Sequence, residues 1–467
     1  MSKNAIIKQA KIVKVEATPE KICGRGGLFF FLRYIENIHF YALLETHLGF
    51  LKTAVKGLSL YQFMKQLLAH FVNGSDLSMT EFDRRKQDDA YAAVLENTPE
   101  QMASSHQMKR FFRKFLLLGN WLYRKILLAL FLWRLWIEKP KIIVLFGDTI
   151  VLDNNDAKHR QGVTPTYKKK KGFQPLHLCW GRYIVDVLFR QGADHSNHGD
   201  DFIKMVARVV KFIRRFYDAD IPIILSSDGA FLDDKNFRFF EERLKIFYLC
   251  GGRKYDDIKK YLEAYPREAF QSLAEHKQLW KYVEFGNRLE SWSNFRRCIF
   301  TSLQTEEHGQ LKLEFAQTDH LIYTNLGQDV QLTEQLMRAG GAEYLTAEKI
   351  IQLDHQRGKG ELIHRALKEF ATKEQLPFEQ FGMNRAYYYF LVVAHFLYEA
   401  YKWDVGGDII AVTCYPNTFR RRLIDFAVKV VKTGGRFILK VAEQAFEELQ
   451  IARLWLRTSE PQPIYIT

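Results

Sequence analysis

Between positions 354 and 368 the chain reads Asp-His-Gln-Arg-Gly-Lys-Gly-Glu-Leu-Ile-His-Arg-Ala-Leu-Lys. Arg357, Glu361, Arg365 and Lys368 recur at spacings of four, four and three. On a helix those spacings put all four on one face. One carboxylate is thereby set among three cations. Taken alone, such a face is a solvated ladder of ion pairs. Two aspartates upstream give it another meaning. Asp148 ends the apolar run Ile-Ile-Val-Leu-Phe-Gly, and Asp228 ends Ile-Pro-Ile-Ile-Leu-Ser-Ser. Two strand-end carboxylates and one helix carboxylate make the ligand set of a two-metal site. The helix cations would hold a polyanion against it.

The charge agrees with that reading. Lys and Arg number 68 against 54 Asp and Glu, a formal net charge of +14. Such a balance favours a polyanionic partner, the alternative being a basic enzyme with no nucleic acid. The 467 residues suffice for several domains, and 47% hydrophobic with 26% charged residues is the balance of a soluble globular protein. Cys23, Cys179, Cys250, Cys298 and Cys414 are scattered and odd in number, with no C-x-x-C pair. They imply a reducing compartment and argue against structural zinc or a disulfide frame. The start, Met-Ser-Lys-Asn-Ala, lacks a secretory pattern. The apolar stretches 126–133 and 386–397 are shorter than the roughly 18 residues of a spanning helix, so both are expected as core helices and no membrane is expected.

Residues 1–20 are a polar, lysine-rich arm, and 21–138 carry helical periodicity broken at Asn73-Gly74-Ser75-Asp76. Ser104 is an expected N-cap for a basic amphipathic helix containing Lys109 and Arg110, a surface that can lie on DNA phosphates or simply be solvated. At Pro140 the pattern turns strand-like. Strands are expected at 141–146, 173–180, 183–192, 221–225 and 246–250, with a tight turn at Gly181-Arg182 and helices at 200–217 and 236–244. The loop 154–171 ends in Lys168, Lys169, Lys170 and Lys171, which face DNA or are merely solvated. From 251 to 351 an insertion starts helical (256–273). It continues with strands at 280–285, 295–302, 310–315 and 321–326. A helix bearing Glu361 follows, then a long aromatic helix at 383–403 expected to pack beside it, and a tail with a helix through Lys432.

Three adjacent strands followed by alternating helices and strands describe a mixed α/β sheet with helices on both faces. The order resembles the ribonuclease-H-like fold, whose acids lie on the first strand, at the fourth and on a late helix. Asp148, Asp228 and Glu361 fall in those places. The expected organisation is a helical DNA-binding region (1–138), a first core part (139–251), a strand-rich insertion (252–351), a second core part (352–410) and a basic helical tail (411–467).

Together, Asp148-Thr149, Asp228-Gly229 and the helix with Arg357, Glu361 and Lys368 resemble the DDE transposases of bacterial insertion sequences. More narrowly, they resemble the cut-and-paste group with a Y(2)R(3)E(6)K signature. His-Gln-Arg-Gly before the glutamate, Leu-Pro-Phe with Asn384 after it, Phe173-Gln174-Pro175-Leu176, and the arginines around 420–436 extend the likeness over about 20–440. One position departs: the signature's tyrosine falls at Asp354, a carboxylate one turn before Arg357 and able to pair with it.

The resemblance implies Mg²⁺, with Mn²⁺ as a substitute, held by Asp148, Asp228 and Glu361 as catalytic ligands. Arg357 would fork onto a phosphate, with Lys368 and Arg365 as further contacts. It implies excision through a DNA hairpin and strand transfer to a target, by a homodimer on paired ends of double-stranded DNA, in the bacterial cytoplasm at the nucleoid. A hairpin needs a base to leave the stack. Trp292 is the candidate ring to hold it, against its being a core residue of the insertion. His195 and His198 form H-x-x-H in a polar loop and read as surface, Asp153 and Asp156 as loop acids carried away from the site, and Gly24-Arg25-Gly26-Gly27 lacks the partners of a phosphate loop. Two alternatives remain: a stand-alone metal-dependent nuclease on the same fold, and a non-catalytic DNA-binding protein derived from a transposase.

Overall fold

Ile143–Thr149 (β1), Leu176–Trp180 (β2), Tyr183–Leu188 (β3), Ile223–Ser227 (β4) and Phe247–Gly251 (β5) lie side by side in the order β3-β2-β1-β4-β5. This is a computed structural model. It describes residues 14–51, 57–74, 76, 78–195, 197–275, 278–303 and 319–465, with the backbone alone at 267 and 358–361. β1 pairs antiparallel with β2 and parallel with β4, and β4 is parallel to β5. The near-continuous apolar runs follow from this placement, since a parallel strand in the middle of a sheet is covered on both faces. All of β4 is buried. Gly181 turns β2 into β3 with φ +54°, as its sequence predicts.

Four long helices frame these strands: Asn120–Glu138 (α1), Asp201–Phe216 (α2), Ala347–Ala371 (α3) and Phe381–Asp404 (α4). α2 packs close to β1 because the residue before Asp148 is a glycine: a Cβ at Gly147 would stand 2.5 Å from the Phe202 ring. α1 is tied to β3 by the buried pair Arg124 and Asp186, with Arg124 Nε 2.7 Å from the carboxylate. α4 packs against α3, and its run Tyr387, Tyr388, Tyr389 and Phe390 is wholly buried. The N-terminal helices share that core through Leu28, Phe31, Phe71 and Phe112. No described helix is long and apolar enough to cross a membrane.

The insertion does not build a sheet of its own. Gln271–Glu275 (β6), Gln278–Asn287 (β7), Arg296–Leu303 (β8) and His320–Thr324 (β9) continue the central one, because β9 pairs antiparallel with β5. Among the described residues the sheet has nine strands, in the order β6-β7-β8-β9-β5-β4-β1-β2-β3. The expected helix at 256–273 stops at Ala264, and the segment Gln271–Glu275 is extended. The strand expected at 310–315, and residues 1–13 of the expected arm, lie outside the described residues. A second apolar cluster, with Ile224, Phe247, Ile299, Ile322, Ile350 and Leu353, clamps the first half of α3 onto these strands. Thr346 caps that helix by accepting from the Lys349 N–H at 3.3 Å.

The tail differs from its expected helix through Lys432. Val428–Thr433 and Arg436–Val441 form an antiparallel hairpin, and Ile22–Cys23 adds a third strand. Gly434 and Gly435 have φ of +57° and +77°, the backbone of a two-residue hairpin turn. Together with the β-branched run Val-Lys-Val-Val-Lys-Thr, that turn outweighs the helical spacing. Arg420, the first of the tail arginines, is a structural residue. It is buried, and donates to the Val72, Phe71 and Phe370 carbonyls at 2.9, 3.0 and 2.7 Å.

Candidate active site

Parallel pairing sets the first two acids beside each other. Gly147 is the register partner of Ser227, so Asp148 and Asp228 follow at matching positions of neighbouring strands, which in any sheet run about 4.8 Å apart. Both open into one cleft of about 730 Å³. Their side chains are 38% and 53% exposed. Asp148 Oδ1 accepts from the Thr149 N–H at 2.6 Å, and Asp228 Oδ1 from the Gly229 N–H at 2.6 Å.

α3 runs past both aspartates. Arg357 Nη1 donates to Asp228 Oδ1 at 3.1 Å, and His364 Nδ1 stands 3.4 Å from Asp148 Oδ2. These two α3 residues are seven apart, two helical turns on one face. Position 361 lies between them along the helix. The side chain of Glu361 is outside the described residues.

Arg357 is a cation held by acids. Burial works against its charge, but Asp354 and then Asp228 outweigh that and raise its pKa. Asp354 is buried, and its Oδ1 lies 3.4 Å from Arg357 Nε. The pairing that Asp354 made possible in the sequence is thus formed. His320 flanks the same carboxylate at 3.7 Å, and burial lowers its pKa.

The other basic residues divide into two sets. Lys168, Arg365 and Lys368 line the cleft with Arg357. Lys368 pairs with Glu374 at 2.9 Å, and the Arg365 guanidinium lies 4.8 Å from the Tyr415 ring. Lys169, Lys170 and Lys171 are exposed beside Lys168 but outside the cleft lining, with Lys170 on Asp153 at 2.6 Å. Lys109 and Arg110 are exposed on Ser105–Arg113, a helix capped by Ser104 as expected, and they too are outside that lining. Trp292 is elsewhere. It is 6% exposed and packs edge-on against Phe237 and Tyr323, with the Arg296 guanidinium 5.0 Å from its ring.

Sequence spacing missed several cleft residues. Trp280 and His355 meet with ring centroids 4.3 Å apart, and His355 Nδ1 lies 2.5 Å from Glu275. Tyr167, 59% exposed, stands beside Lys168 at the rim. For His364 a signal existed: it falls three residues after Glu361 and seven after Arg357.

The donor set suits hard divalent cations. Two carboxylates stand abreast and open to the cleft, and the guanidinium of Arg357 is already drawn onto Asp228. Among the described residues no three His, Cys, Asp or Glu side chains converge on one point. A third ligand would have to come from beyond them.

A family model described as transposase DDE domain group 1 matches residues 5–459. Among solved structures, the chain is similar to the cryo-EM structure of the piggyBac transposase synaptic complex with hairpin DNA. The identity is 12% and the TM-score 0.39, over 94% of this chain and 83% of that one. No curated protein matches the sequence.

Proposed function

The chain belongs to the transposase DDE domain group 1 family, and from that premise we propose that it excises and inserts a DNA element by metal-dependent phosphodiester hydrolysis and strand transfer. In this reading the core is ribonuclease-H-like. The strand order β3-β2-β1-β4-β5, with the last two parallel to β1, supports it.

One observation carries the proposal. Asp148 and Asp228, far apart along the chain, open side by side into a single cleft, and the helix bearing Glu361 touches both through His364 and Arg357. Asp148, Asp228 and Glu361 would hold Mg²⁺, or Mn²⁺ in its place. When bound, such ions activate the attacking oxygen and stabilise the leaving one. The chain's own residues would do the rest. Arg357 and Lys368 would receive phosphates, the first through its planar fork and the second as a point charge. Arg365 and Lys168, which line the same cleft, would follow the backbone away from the scissile bond. Lys109, Arg110 and Lys169–Lys171 would bind flanking DNA from outside it. The hairpin route and a homodimer on paired ends belong to the proposal through the cut-and-paste resemblance.

The test uses the full chain and duplexes taken from the DNA on either side of its coding sequence. Asp148→Asn, Asp228→Asn and Glu361→Gln should each lower cleavage by on the order of 10³-fold, from several kcal/mol of lost charge stabilisation at about 1.4 kcal/mol per tenfold. End binding should persist. Cleavage surviving any of the three would defeat the metal-site reading, and cutting without joining would identify a nuclease. One observation favours the non-catalytic alternative: Arg357 is engaged by two carboxylates at once. Absence of cleavage by the unmodified chain, with binding intact, would establish it.

A further inference from the structure

Asp148 is half open to the cleft, yet both of its oxygens meet the protein. Oδ1 accepts from the Thr149 N–H at 2.6 Å, and Oδ2 faces His364 Nδ1 at 3.4 Å. The first contact comes with the strand itself. The second crosses from α3 to β1.

His364 is built in place. The residue is 7% exposed. Its ring lies 5.1 Å from that of His177, which is the cross-strand partner of Asp148 on β2. His177 is fully buried and shares a 2.8 Å hydrogen bond from Nε2 with the Tyr388 hydroxyl of α4. The Tyr388 ring stacks on it, with centroids 5.9 Å apart and planes 16° from parallel. Ring contacts running from α4 through β2, stacked at Tyr388 and His177 and tilted by 58° between His177 and His364, thus set the imidazole of His364 beside Asp148. His364 Nε2 is buried and has no hydrogen-bond partner among the described residues. A neutral imidazole has one N–H to give, and Asp148 is the acceptor in reach on the Nδ1 side.

We propose that His364 is a positioning residue that donates from Nδ1 to Oδ2 of Asp148 and orients that carboxylate for a divalent cation, with His177 and Tyr388 holding the imidazole. The inference rests on the reading of Asp148 as a cation ligand and adds to it a residue outside the acidic triad. It follows a general rule of metal sites: a ligating carboxylate is itself held by an outer hydrogen bond, and loss of that partner costs about 10- to 100-fold in affinity or activity.

The experiment titrates Mn²⁺ alone into the full chain and reads the free ion by electron paramagnetic resonance. His364→Leu keeps the buried volume and removes the donor. His364→Asn places an amide N–H near the position of Nδ1. Asp148→Asn tests the underlying reading, and melting without Mn²⁺ confirms that each variant is folded. The expected result is Mn²⁺ binding weakened about tenfold in His364→Leu, largely restored in His364→Asn, and weakened most in Asp148→Asn. Wild-type Mn²⁺ binding in His364→Leu would overturn the inference. So would equal weakening in the Leu and Asn variants, which would leave packing as the cause. Loss in His364→Leu as complete as in Asp148→Asn would make His364 a ligand and also overturn it. Unchanged binding in Asp148→Asn would instead remove the reading on which the inference stands.

Discussion

Asp354 Oδ1 lies 3.4 Å from Arg357 Nε, one turn along the same helix. Asp354 is buried, and Arg357 spends its other arm on Asp228 at 3.1 Å. The guanidinium proposed to fork onto a phosphate is therefore turned toward acids on both sides. Asp354, where the resembled signature would have a tyrosine, supplies the second of those acids.

Asp354→Asn should release Arg357 toward DNA. One added phosphate contact steepens the dependence of log K on log salt by about 0.9. Fluorescence anisotropy of an end duplex in EDTA, across a salt series, measures that slope. An unchanged slope would mean that Arg357 does not reach the backbone even when freed.

Trp292→Ala should act on folding before it acts on any step of DNA chemistry. The indole is enclosed by Phe237, Tyr323 and Arg296, and emptying such a site costs about 3–5 kcal/mol. Denaturant melts should show that loss, a smaller one for Trp292→Phe, and parallel declines in nicking and hairpin formation. A hairpin defect in a fully stable Trp292→Ala protein would return the ring to the reaction.

The acid limb of stability should be shallower without His395. This residue is 1% exposed, and neither ring nitrogen has a hydrogen-bond partner among the described residues. Burial, then the Lys402 and Arg420 charges, lower its pKa from 6.5 to about 3. The unfolded chain therefore takes up a proton below pH 6.5 that the folded chain refuses until about pH 3. The contribution is whole above pH 6.5 and shrinks on acidification, by about 1.4 kcal/mol per pH unit. His395→Leu should narrow the stability difference between pH 6.5 and pH 5 by about 2 kcal/mol, read from urea midpoints at the two pH values. Identical acid limbs would show that the imidazole is already charged in the fold.

Local chemistry made the centre of the site readable. Asp148 and Asp228 end short apolar runs of strand length, rich in isoleucine, as buried strands do, and the period around Arg357 is helical over several turns. Long-range pairing hid the rest. Nothing near His364 names Asp148 as its neighbour, since the contact exists because α3 crosses β1. The insertion shows its strands in the sequence but not their destination, which Ile322 opposite Gly251 decides. The tail misled for a local reason: Val428–Thr433 contains spacings that suit either state, and the glycine pair beyond it settles the matter.

The junction of β9 with β5 has a mechanical side. Cross-links of backbone amides run without a gap from the outermost strand of the insertion to the tip where Asp228 sits. A ladder of that kind resists bending at its joints far more than a loop-tethered module would. Any load that falls on the insertion is then borne by the strands that lead to Asp148 and Asp228. Outer strands and central strands thereby share one stiffness instead of two.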